Sequence, residues 1–545
     1  MRDFREALDE CGFADLGYVE QKYTWYKQLT GGVTVWERLD RAVANNDWIS
    51  LYPGTMVKHL EFGFSDHKPI IIHLEGIPIR KQKPWRFEQV WLKEDECRAV
   101  MESAWQESLS STSPMGVIET NLETCQARLR SWSKDSFGNI TRDLIHKRKQ
   151  LKEVEEEAIR EGGADRVYLI KSELRELLVK EEELWQQHSK LHWLQNGDQN
   201  TRYFHGKASQ RFRRNSIKSI RDNNGVMCEG DDKVAALFVD YFTELFSTSD
   251  LVQIKNVLAA TPRVVTEAMN AELAGVFTRS EVDLALHQMA PLKAPGPDGM
   301  PPIFFQHFWH SIGDDVAMAV LSCLNSGTFP ASLNHTYITL IPKTKSPERV
   351  TEFRPIALCN VLYKLISKVL ANRLKSVLPI VISESQSAFQ SNKAISDNIL
   401  VAFETLHHIK NKKTGKEGYM AMKLDMSKAY DRVEWIFLES LMLKMGFNDR
   451  LTGLIMECVR SVSYSILVNG EPRGNIIPTR GIRQGDPLSP FLFLLVSEGL
   501  NGLLQQAMSC GELKGFSLCK NGPQVSHLFF ADDSLIFCRA RMGNV

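Results

Sequence analysis

The sequence predicts an α+β fold, and three observations support this prediction. Within residues 1–75, short apolar runs such as KPIIIHL alternate with turn residues, which is typical of β-strands in a partial α/β unit. From about residue 85 to 195, leucines recur at helical spacing in charge-dense stretches such as TRDLIHKRKQLKEVEEEAIREGG. From about residue 265 onward, loops such as PLKAPGPDGMPP separate apolar segments with both strand-like alternation and helical periodicity.

Length and composition indicate a multidomain globular protein. The 545 residues leave room for about three domains of ~100–200 residues, and the 43% apolar fraction is enough to fill their cores. Lysine plus arginine equals aspartate plus glutamate, at 66 each, so the net charge gives no argument for a polyanionic partner. Any contact with nucleic acid must therefore be local.

The cysteines and the N-terminus bear on the compartment. The 10 cysteines are scattered without a CxxC pair, which indicates neither a disulfide framework nor a zinc site and fits a reducing intracellular compartment best. The first residues, MRDFREALDE, are charged where a secretory signal needs an apolar core, and no stretch approaches the ~20 apolar residues of a membrane span. We expect a soluble protein without a membrane partner; the sequence does not distinguish nucleus from cytoplasm.

The stretch from about residue 85 to 221 divides into a helical and a basic part. TRDLIHKRKQLKEVEEEAIREGG and VYLIKSELRELLVKEEELWQQHSK predict two long helices in antiparallel arrangement. A basic patch without acidic residues follows, with aromatic side chains interleaved: Arg202, Tyr203, Phe204, Lys207, Arg211, Phe212, Arg213, Arg214, Lys218 and Arg221. Composition alone supports phosphate contacts with RNA or DNA and a solvated linker about equally.

Asp425 ends a segment that alternates like a strand. In YMAMKLDMSKAYDRVEW, Met420, Met422 and Leu424 fall on one face, which predicts that Asp425 lies at a strand end and points away from the core. The alternative is a surface aspartate that begins the next helix, where a negative charge is favourable.

HLFFADDSLIFC predicts a hairpin with Asp532 and Asp533 at its turn. An ordinary turn is the alternative, since aspartate is common there. Adjacent acids repel, however, and a pair between apolar runs is costly unless cations or solvent relieve it. Three carboxylates on neighbouring strands could hold two Mg²⁺ (or Mn²⁺) ions ~3.5–4 Å apart, which supports the hypothesis of nucleotidyl transfer.

These acids lie in recognisable motifs. KLDMSKAYDRV, TRGIRQGDPLSPFLFLL and FFADDSLIF resemble, in order and spacing, motifs A, B and C of LINE-type (non-LTR retrotransposon) reverse transcriptases. Upstream, LKAPGPDGMP, ITLIPK and EFRPIALCNVLYKLISKVLANRL resemble the finger motifs of that family, including versions common in plant retroelements. The resemblance spans about 281–538 and implies the fingers and palm of a right-hand polymerase.

The resemblance also implies roles for single residues. Asp425 and Asp532 would be the principal metal ligands, and Asp533 a weaker or second-sphere partner. Tyr430, five residues after Asp425, would match the aromatic residue that lies under the incoming sugar and excludes a 2′-hydroxyl, so that deoxynucleotides are favoured. Its alternative is a core aromatic at a helix start.

Motif B and the fingers would contact the nucleotide. Gly481, Gln484 and Gly485 lie in a glycine-bearing loop before an apolar helix that begins near Pro490, and this loop touches template and incoming nucleotide in the family. An ordinary entry into a helix is the alternative. Lys343 and Arg354 would match finger residues that contact the triphosphate, whose charge must be neutralised; alone they would be solvated surface charges.

The N-terminal segment resembles part of a second enzyme. TWYKQ, RLDRAVANNDW and FGFSDHKPIIIHL look like the final third of the endonuclease/exonuclease/phosphatase domain that precedes the polymerase in many LINE elements. His67 would contact the scissile phosphate, while Asp40 and Asp66 would orient it and help hold a metal; a polar turn before a buried strand is the alternative. The metal-binding glutamate and aspartate-asparagine pair of that domain lie upstream of this chain, so self-sufficient nicking is not predicted.

The resulting domain prediction is a C-terminal endonuclease remnant (1–75), a helical, partly basic linker (76–264) and reverse transcriptase fingers and palm, truncated before the thumb (265–545). WLQNGDQNTRYFHGKASQRFRRNSI resembles the linker of plant elements, which favours nucleic-acid binding by the basic patch. Val545 follows Asp533 by a dozen residues, so we expect weak primer–template binding.

Two hypotheses about function follow. The first is an RNA-directed DNA polymerase whose partners are an RNA template, a DNA primer and dNTPs. The second is a catalytically inactive retroelement remnant that only binds nucleic acid. The sequence does not indicate protein partners.

Overall fold

The chain is described by a computed structural model that places residues 7–8, 11–18, 23–29, 34–52, 54–60, 65–75, 84–107, 113–161, 165–189, 211, 214–249, 254–344, 346–390, 393–412, 418–517, 522 and 524–540. Helices and strands are mixed throughout, as an α+β fold requires. Most of the predicted basic patch, residues 202–210 and 212–213, lies outside the described residues. Within the described part, no helix is both long and apolar enough to cross a lipid bilayer.

The strands are short, as is usual where turns are frequent. They are β1 (Phe13–Asp15), β2 (Trp25–Gln28), β3 (Thr34–Glu37), β4 (Val43–Asn45), β5 (Met56–His59), β6 (Ile70–His73), β7 (Ser219–Arg221), β8 (Met227–Glu229), β9 (His335–Pro342), β10 (Phe353–Leu358), β11 (Tyr419–Asp425), β12 (Ser463–Val468), β13 (Glu471–Ile476), β14 (His527–Phe530) and β15 (Asp533–Arg539).

The helices vary widely in length. They are α1 (Asn46–Leu51), α2 (Asp95–Gln106), α3 (Pro114–Trp132), α4 (Ile140–Glu161), α5 (Asp165–Ser189), α6 (Asp231–Leu245), α7 (Ile254–Ala260), α8 (Glu267–Leu273), α9 (Arg279–His287), α10 (Pro302–Ser326), α11 (Val361–Val381), α12 (Ile395–Asn411), α13 (Trp435–Met445), α14 (Asp449–Arg460) and α15 (Ser489–Ser509).

The N-terminal unit is built from antiparallel strand pairs, as its short apolar runs predicted. β1 pairs with β4, β2 with β3, and β5 with β6. Its apolar core is small and consists of Leu16, Ala42, Ala44, Ile49 and Val57. This core shares no residue with the main core described below.

The two predicted long helices are α4 and α5. Ion pairs join Lys147 to Glu173, and Lys171 to Glu155. Lys147 precedes Glu155 on α4, whereas its partner Glu173 follows Lys171 on α5. The two helices are therefore antiparallel, which confirms the prediction. A small apolar cluster of Val154, Val167 and Ile170 closes the far end of this hairpin.

The main core begins before the polymerase motifs. It runs from Phe87 to Leu495 and includes apolar residues of α2, α3 and α6 together with those of α10 and α11. Phe87, for example, packs edge-on against Phe304 of α10, with ring centres 5.2 Å apart. The core is therefore continuous across residue 265, where the sequence suggested a domain boundary.

One sheet carries the segments that resemble the fingers. Its order is β10-β9-β12-β13, with β9 parallel to β12 and the other neighbours antiparallel. Buried and half-buried residues alternate along β9, as they do in a strand with one face on a core. Lys343 directly follows β9, and Arg354 lies exposed on β10.

A second sheet, in the order β11-β15-β14, carries the acidic motifs. The register pairs Asp425 at the end of β11 with Asp533 at the start of β15. Asp425 therefore ends a strand, as predicted, and does not begin a helix. The predicted core face of β11 is wrong, because Met422 and Leu424 are 40% and 38% exposed. Among the described strands, β11 pairs only with β15 and is therefore an edge strand of this sheet.

Candidate active site

The hairpin of β14 and β15 holds two of the three acids, Asp532 and Asp533, at the end where its two strands are joined. Ala531 and Asp532 form the turn, and Ala531 adopts a left-handed φ of 52°. Asp533 is the first residue of β15 and lies opposite Asp425. The predicted hairpin is confirmed, and its register brings the three aspartates of motifs A and C together.

A segment that the sequence analysis did not single out holds this turn in place. The side-chain carbonyl of Gln386, which is fully buried, accepts the backbone N–H of Ala531 at 3.1 Å. The backbone N–H of Ser387 donates to the carbonyl of Phe529, and the N–H of Phe529 donates to the carbonyl of Ser385. Residues 385–387 therefore run beside β14 like a further strand. The short polar run SESQSAFQ carries no periodicity that would have predicted this support.

A lysine neutralises part of the acidic cluster. Nζ of Lys423 lies 2.9 Å from Oδ1 of Asp533, and both side chains are largely exposed. The hydrogen bond with Asp533 raises the pKa of Lys423, and the charges of Asp425 and Asp532 add to that effect. The cluster therefore attracts a cation, which is the electrostatic property that a metal site needs.

Carboxylates are the oxygen donors that Mg²⁺ prefers, so this donor set fits a divalent cation. In their present orientations, however, no three acidic, histidine or cysteine side chains among the described residues are arranged to hold a metal ion. The backbone thus brings the donors together, while the side chain of Asp533 would have to turn from Lys423 towards a metal.

Tyr430 lies beside the acids in a short helical turn, Tyr430–Arg432. Its ring stacks on Phe493 of α15, with ring centres 4.9 Å apart and planes 9° apart. Burial raises the pKa of Tyr430 to about 12, and the nearby charge of Asp532 contributes. The hydroxyl therefore stays protonated, and the ring is held against α15 next to the acidic turn.

The motif B loop is attached to the turn that carries Tyr430 and to strand β10. Ile482 donates its N–H to the carbonyl of Tyr430 at 2.9 Å, and Ala357 of β10 donates to the carbonyl of Gln484 at 2.8 Å. The Gln484 amide also donates to Oδ1 of Asp431 at 3.4 Å. The helix that the sequence placed near Pro490 is α15, which begins at Ser489.

Gly485 has a φ of 111°, and a Cβ there would lie 3.1 Å from the carbonyl oxygen of Ala357. The backbone thus approaches β10 too closely for a larger residue.

A buried ionic cluster holds the motif B loop in place. Arg483 pairs with Asp486 at 2.8 Å and donates to the carbonyl of Cys458 at 3.0 Å. Its guanidinium lies 4.0 Å from the ring centre of Tyr363, whose hydroxyl donates to Asp486. The sequence analysis quoted RQGDPLSP without assigning a role to Arg483, because a buried arginine is not visible in a polar string.

Lys343, one of the two cations expected to contact the triphosphate, lies near the turn that follows β11. Lys343 donates its N–H to Glu352 at 2.8 Å and its ammonium to the carbonyl of Thr351 at 3.2 Å. It is close enough to Lys428 that its charge lowers the pKa of that lysine. Arg354 is exposed on β10, which pairs with β9, the strand that Lys343 directly follows.

The N-terminal unit has its own polar cluster. Nδ1 of His67 hydrogen-bonds Oδ2 of Asp40 at 2.8 Å, and Trp25 donates its indole N–H to Asp66 at 3.0 Å. The bond to Asp40 raises the pKa of His67. Burial opposes ionisation of Asp40, but hydrogen bonds from His67 and Thr24 outweigh it and lower its pKa. Asp40, Asp66 and His67 thus come together, as the sequence suggested.

Residues 341–542 match the family of reverse transcriptases (RNA-dependent DNA polymerases). This range contains Lys343, Arg354 and the segments quoted as motifs A, B and C.

Over 526 residues, 94% of the chain, the sequence is 24% identical to an uncharacterized 149 kDa protein of transposon TX1 from Xenopus laevis. It is also 29% identical over 265 residues, 48% of the chain, to a retrovirus-related Pol polyprotein from the type-2 retrotransposable element R2DM of Drosophila melanogaster. A stretch of 68 residues, 12% of the chain, is 50% identical to an uncharacterized mitochondrial protein of Arabidopsis thaliana, of which it covers 56%. The chain spans 39% and 24% of the lengths of the first two relatives.

Proposed function

We propose that this chain, which carries a reverse transcriptase domain of the non-LTR retrotransposon type, is an RNA-directed DNA polymerase. It would extend a primer 3′-hydroxyl with deoxynucleoside triphosphates on an RNA template. The observation that carries this proposal is the register that sets Asp425 opposite Asp533, with Asp532 in the adjoining turn.

Asp425 and Asp532 are proposed to hold two Mg²⁺ or Mn²⁺ ions, with Asp533 as a weaker partner. When bound, such ions activate the primer hydroxyl and stabilise the leaving pyrophosphate. The carboxylates contribute donor oxygens and a negative potential that already attracts the ammonium of Lys423. Lys343 and Arg354 are proposed to bind the triphosphate and to neutralise its charge from the side of the fingers.

Tyr430 is proposed to select deoxynucleotides. Its ring stacks on Phe493, and its backbone carbonyl accepts the N–H of Ile482. The side chain therefore has little freedom to move away from an added 2′-hydroxyl. Gln484 and Gly485 are proposed to contact the template and the incoming nucleotide from the motif B loop. Their backbone is tied to β10 through Ala357, which supports a fixed position.

For the rest of the chain, we propose that residues 1–75 derive from an endonuclease/exonuclease/phosphatase domain and that 76–264 connect it to the polymerase at 265–545. The hydrogen-bonded pair of His67 and Asp40, with Asp66 beside it, supports the first assignment. No nicking activity is proposed. A catalytically inactive remnant that only binds nucleic acid is the alternative, and the presence of all three acids does not favour it.

The test is primer extension on poly(rA)/oligo(dT) with Mg²⁺ or Mn²⁺, comparing the full chain with Asp532→Ala. The matched control is Asp314→Ala, whose side chain is 99% exposed on α10. We expect incorporation of deoxythymidine by the full chain and the control, and a loss of ~100-fold or more in Asp532→Ala. RNA binding without incorporation by the full chain would contradict the proposal and support the inactive remnant.

A further inference from the structure

Lys428 occupies a strained position next to the candidate active site. It lies between β11 and the turn Tyr430–Arg432, three residues after Asp425, and its φ is 57°. This left-handed conformation is unfavourable for a lysine, and it persists only where the surrounding structure imposes it. The carbonyl of Lys428 accepts the N–H of Arg432 at 3.1 Å, which holds the turn.

The side chain of Lys428 is directed inward but finds no acceptor. Its Nζ is shielded from solvent and hydrogen-bonds no group among the described residues. The ammonium lies 5.7 Å from the ring centre of Tyr241, a contact that stabilises a cation only weakly. A buried ammonium without an acceptor is costly, so the position suits a lysine that receives its partner from a ligand.

Like charges surround this ammonium. Burial lowers the pKa of Lys428, and the charges of Lys343 and Arg432 lower it further. Lys343 comes from the end of a finger strand, whereas Lys428 and Arg432 belong to the palm turn. Cations from two separate elements repel one another at this place unless an anion lies between them.

Asp431 compensates for these positive charges only in part. Asp431 is 2% exposed, and its charge favours the protonated form of Lys428. Its Oδ1 accepts the amide of Gln484, while its Oδ2 is buried and has no hydrogen-bond partner in the described structure. Asp431 therefore orients the lysine electrostatically and leaves the hydrogen-bonding positions of the ammonium open.

We propose that Lys428 is an additional binding residue for the triphosphate of the incoming nucleotide, and that Asp431 holds it in position for this role. The inference rests on the proposed polymerase function and deepens it. The open cation beside Lys343 matches a polyanion with several oxygen acceptors, and a triphosphate satisfies both ammonium groups at once.

The decisive variant is Lys428→Gln, which removes the charge and keeps much of the side-chain length. We expect the KM for dTTP to rise ~10-fold or more, with a smaller change in kcat, because a charge-assisted contact to the bound nucleotide is lost. Inhibition of primer extension by inorganic tripolyphosphate should weaken by a similar factor. Lys428→Arg should restore most of both effects, which a purely structural role would not predict.

The matched control is Lys444→Gln, an exposed lysine in the last turn of α13, for which neither value should change. Thermal unfolding of each variant checks that the fold is retained; if Lys428→Gln unfolds, the same titrations are made on Lys428→Met. An unchanged KM and unchanged inhibition in a folded variant would overturn the inference.

If the full chain itself does not extend primers, the proposed function fails separately. Calorimetric titration of tripolyphosphate into the full chain and into the folded variant then decides the role of Lys428. Equal affinities would overturn it, and weaker binding by the variant would support it.

Discussion

At the scale of single residues, Lys423 partly neutralises the negative charge of Asp425, Asp532 and Asp533 when no metal is bound. Its ammonium lies 2.9 Å from Asp533, and the three aspartates together raise its pKa. A divalent cation must therefore displace it from Asp533. This competition should appear in the metal dependence of the proposed polymerase.

We predict that Lys423→Gln lowers the Mg²⁺ concentration for half-maximal primer extension by about twofold to fivefold, the range expected when an exposed ion pair is removed. The measurement is a Mg²⁺ titration of initial rates beside Lys444→Gln, which should match the unmodified chain. A higher Mg²⁺ requirement in Lys423→Gln would show that the lysine assists metal binding instead of opposing it.

Asp298, in the loop between α9 and α10, should make stability depend on pH. Its Oδ2 is shielded from solvent and has no hydrogen-bond partner among the described residues, although the residue as a whole is partly exposed. Burial raises the pKa of Asp298 to about 7. The folded state then binds more protons than the unfolded state between about pH 4 and 7, so this group lowers stability as the pH rises through that window.

We therefore predict that Asp298→Asn, which can still accept the N–H of Met300, raises the Tm by ~2–4 °C at pH 8. The difference should disappear near pH 4, where the aspartic acid is neutral in both states. Thermal unfolding of both proteins from pH 4 to pH 8 measures this. A constant difference across the range would show that the ionisation of Asp298 is not its cause.

The sequence could identify the acids but not their partners. Specific sequence motifs, defined by their residue types and spacing, contain Asp425, Tyr430, Asp532 and Asp533. Lys423 lies in the same string, but its contact depends on a register that sets it opposite Leu535, diagonal to Asp533. The burial of Lys428 likewise depends on Tyr241, which lies far away in sequence.

At the scale of elements, the motif B loop is fixed by contacts with the segment that follows β11. Gly481 has a φ of 91° and donates its N–H to Val433 at 2.7 Å, while its carbonyl accepts the indole N–H of Trp435 at 2.8 Å. A Cβ at this position would lie 2.8 Å from the carbonyl oxygen of Asp431. Both the conformation and the space therefore require glycine.

We predict that Gly481→Ala lowers the free energy of unfolding by about 2 kcal/mol or more, and lowers primer extension because the loop must shift. The control is Gly453→Ala on α14, where a Cβ meets nothing within 4 Å. That change should stabilise the protein by about 0.5–1 kcal/mol, since alanine is the better helix residue. Denaturant unfolding measures both values, and equal effects would contradict the role of Gly481.

Elements with local signals were predictable, whereas long-range pairings were not. Leucine spacing predicted α4 and α5, and prolines predicted the start of α15. The parallel pairing of β9 with β12 joins residues more than a hundred positions apart, for which the sequence has no local pattern. The exposure of Met422 and Leu424 was missed for the same reason, because alternation does not reveal whether another element covers a given face of the sheet.

At the scale of the whole molecule, the main core and the smaller N-terminal core divide the described part of the chain unequally. The N-terminal core comprises five buried residues, between Leu16 and Val57, and the main core begins at Phe87. A contact between Lys218 and Met56 joins the two sides, but neither residue belongs to either apolar core. The stability of the main core should therefore not depend on the N-terminal unit.

We predict that a chain starting at residue 84 keeps the Tm of the main unfolding transition and the primer-extension rate of the full chain. A chain starting at residue 133 serves as the contrast, because it lacks Met101, Leu122 and Leu129, which are buried in the main core. Losing three such side chains removes several kcal/mol, comparable to the whole stability of a domain, so this chain should not fold. Calorimetry separates the outcomes: if the chain from residue 84 also loses the main transition, the strands of residues 1–75 stabilise the polymerase through contacts other than a shared core.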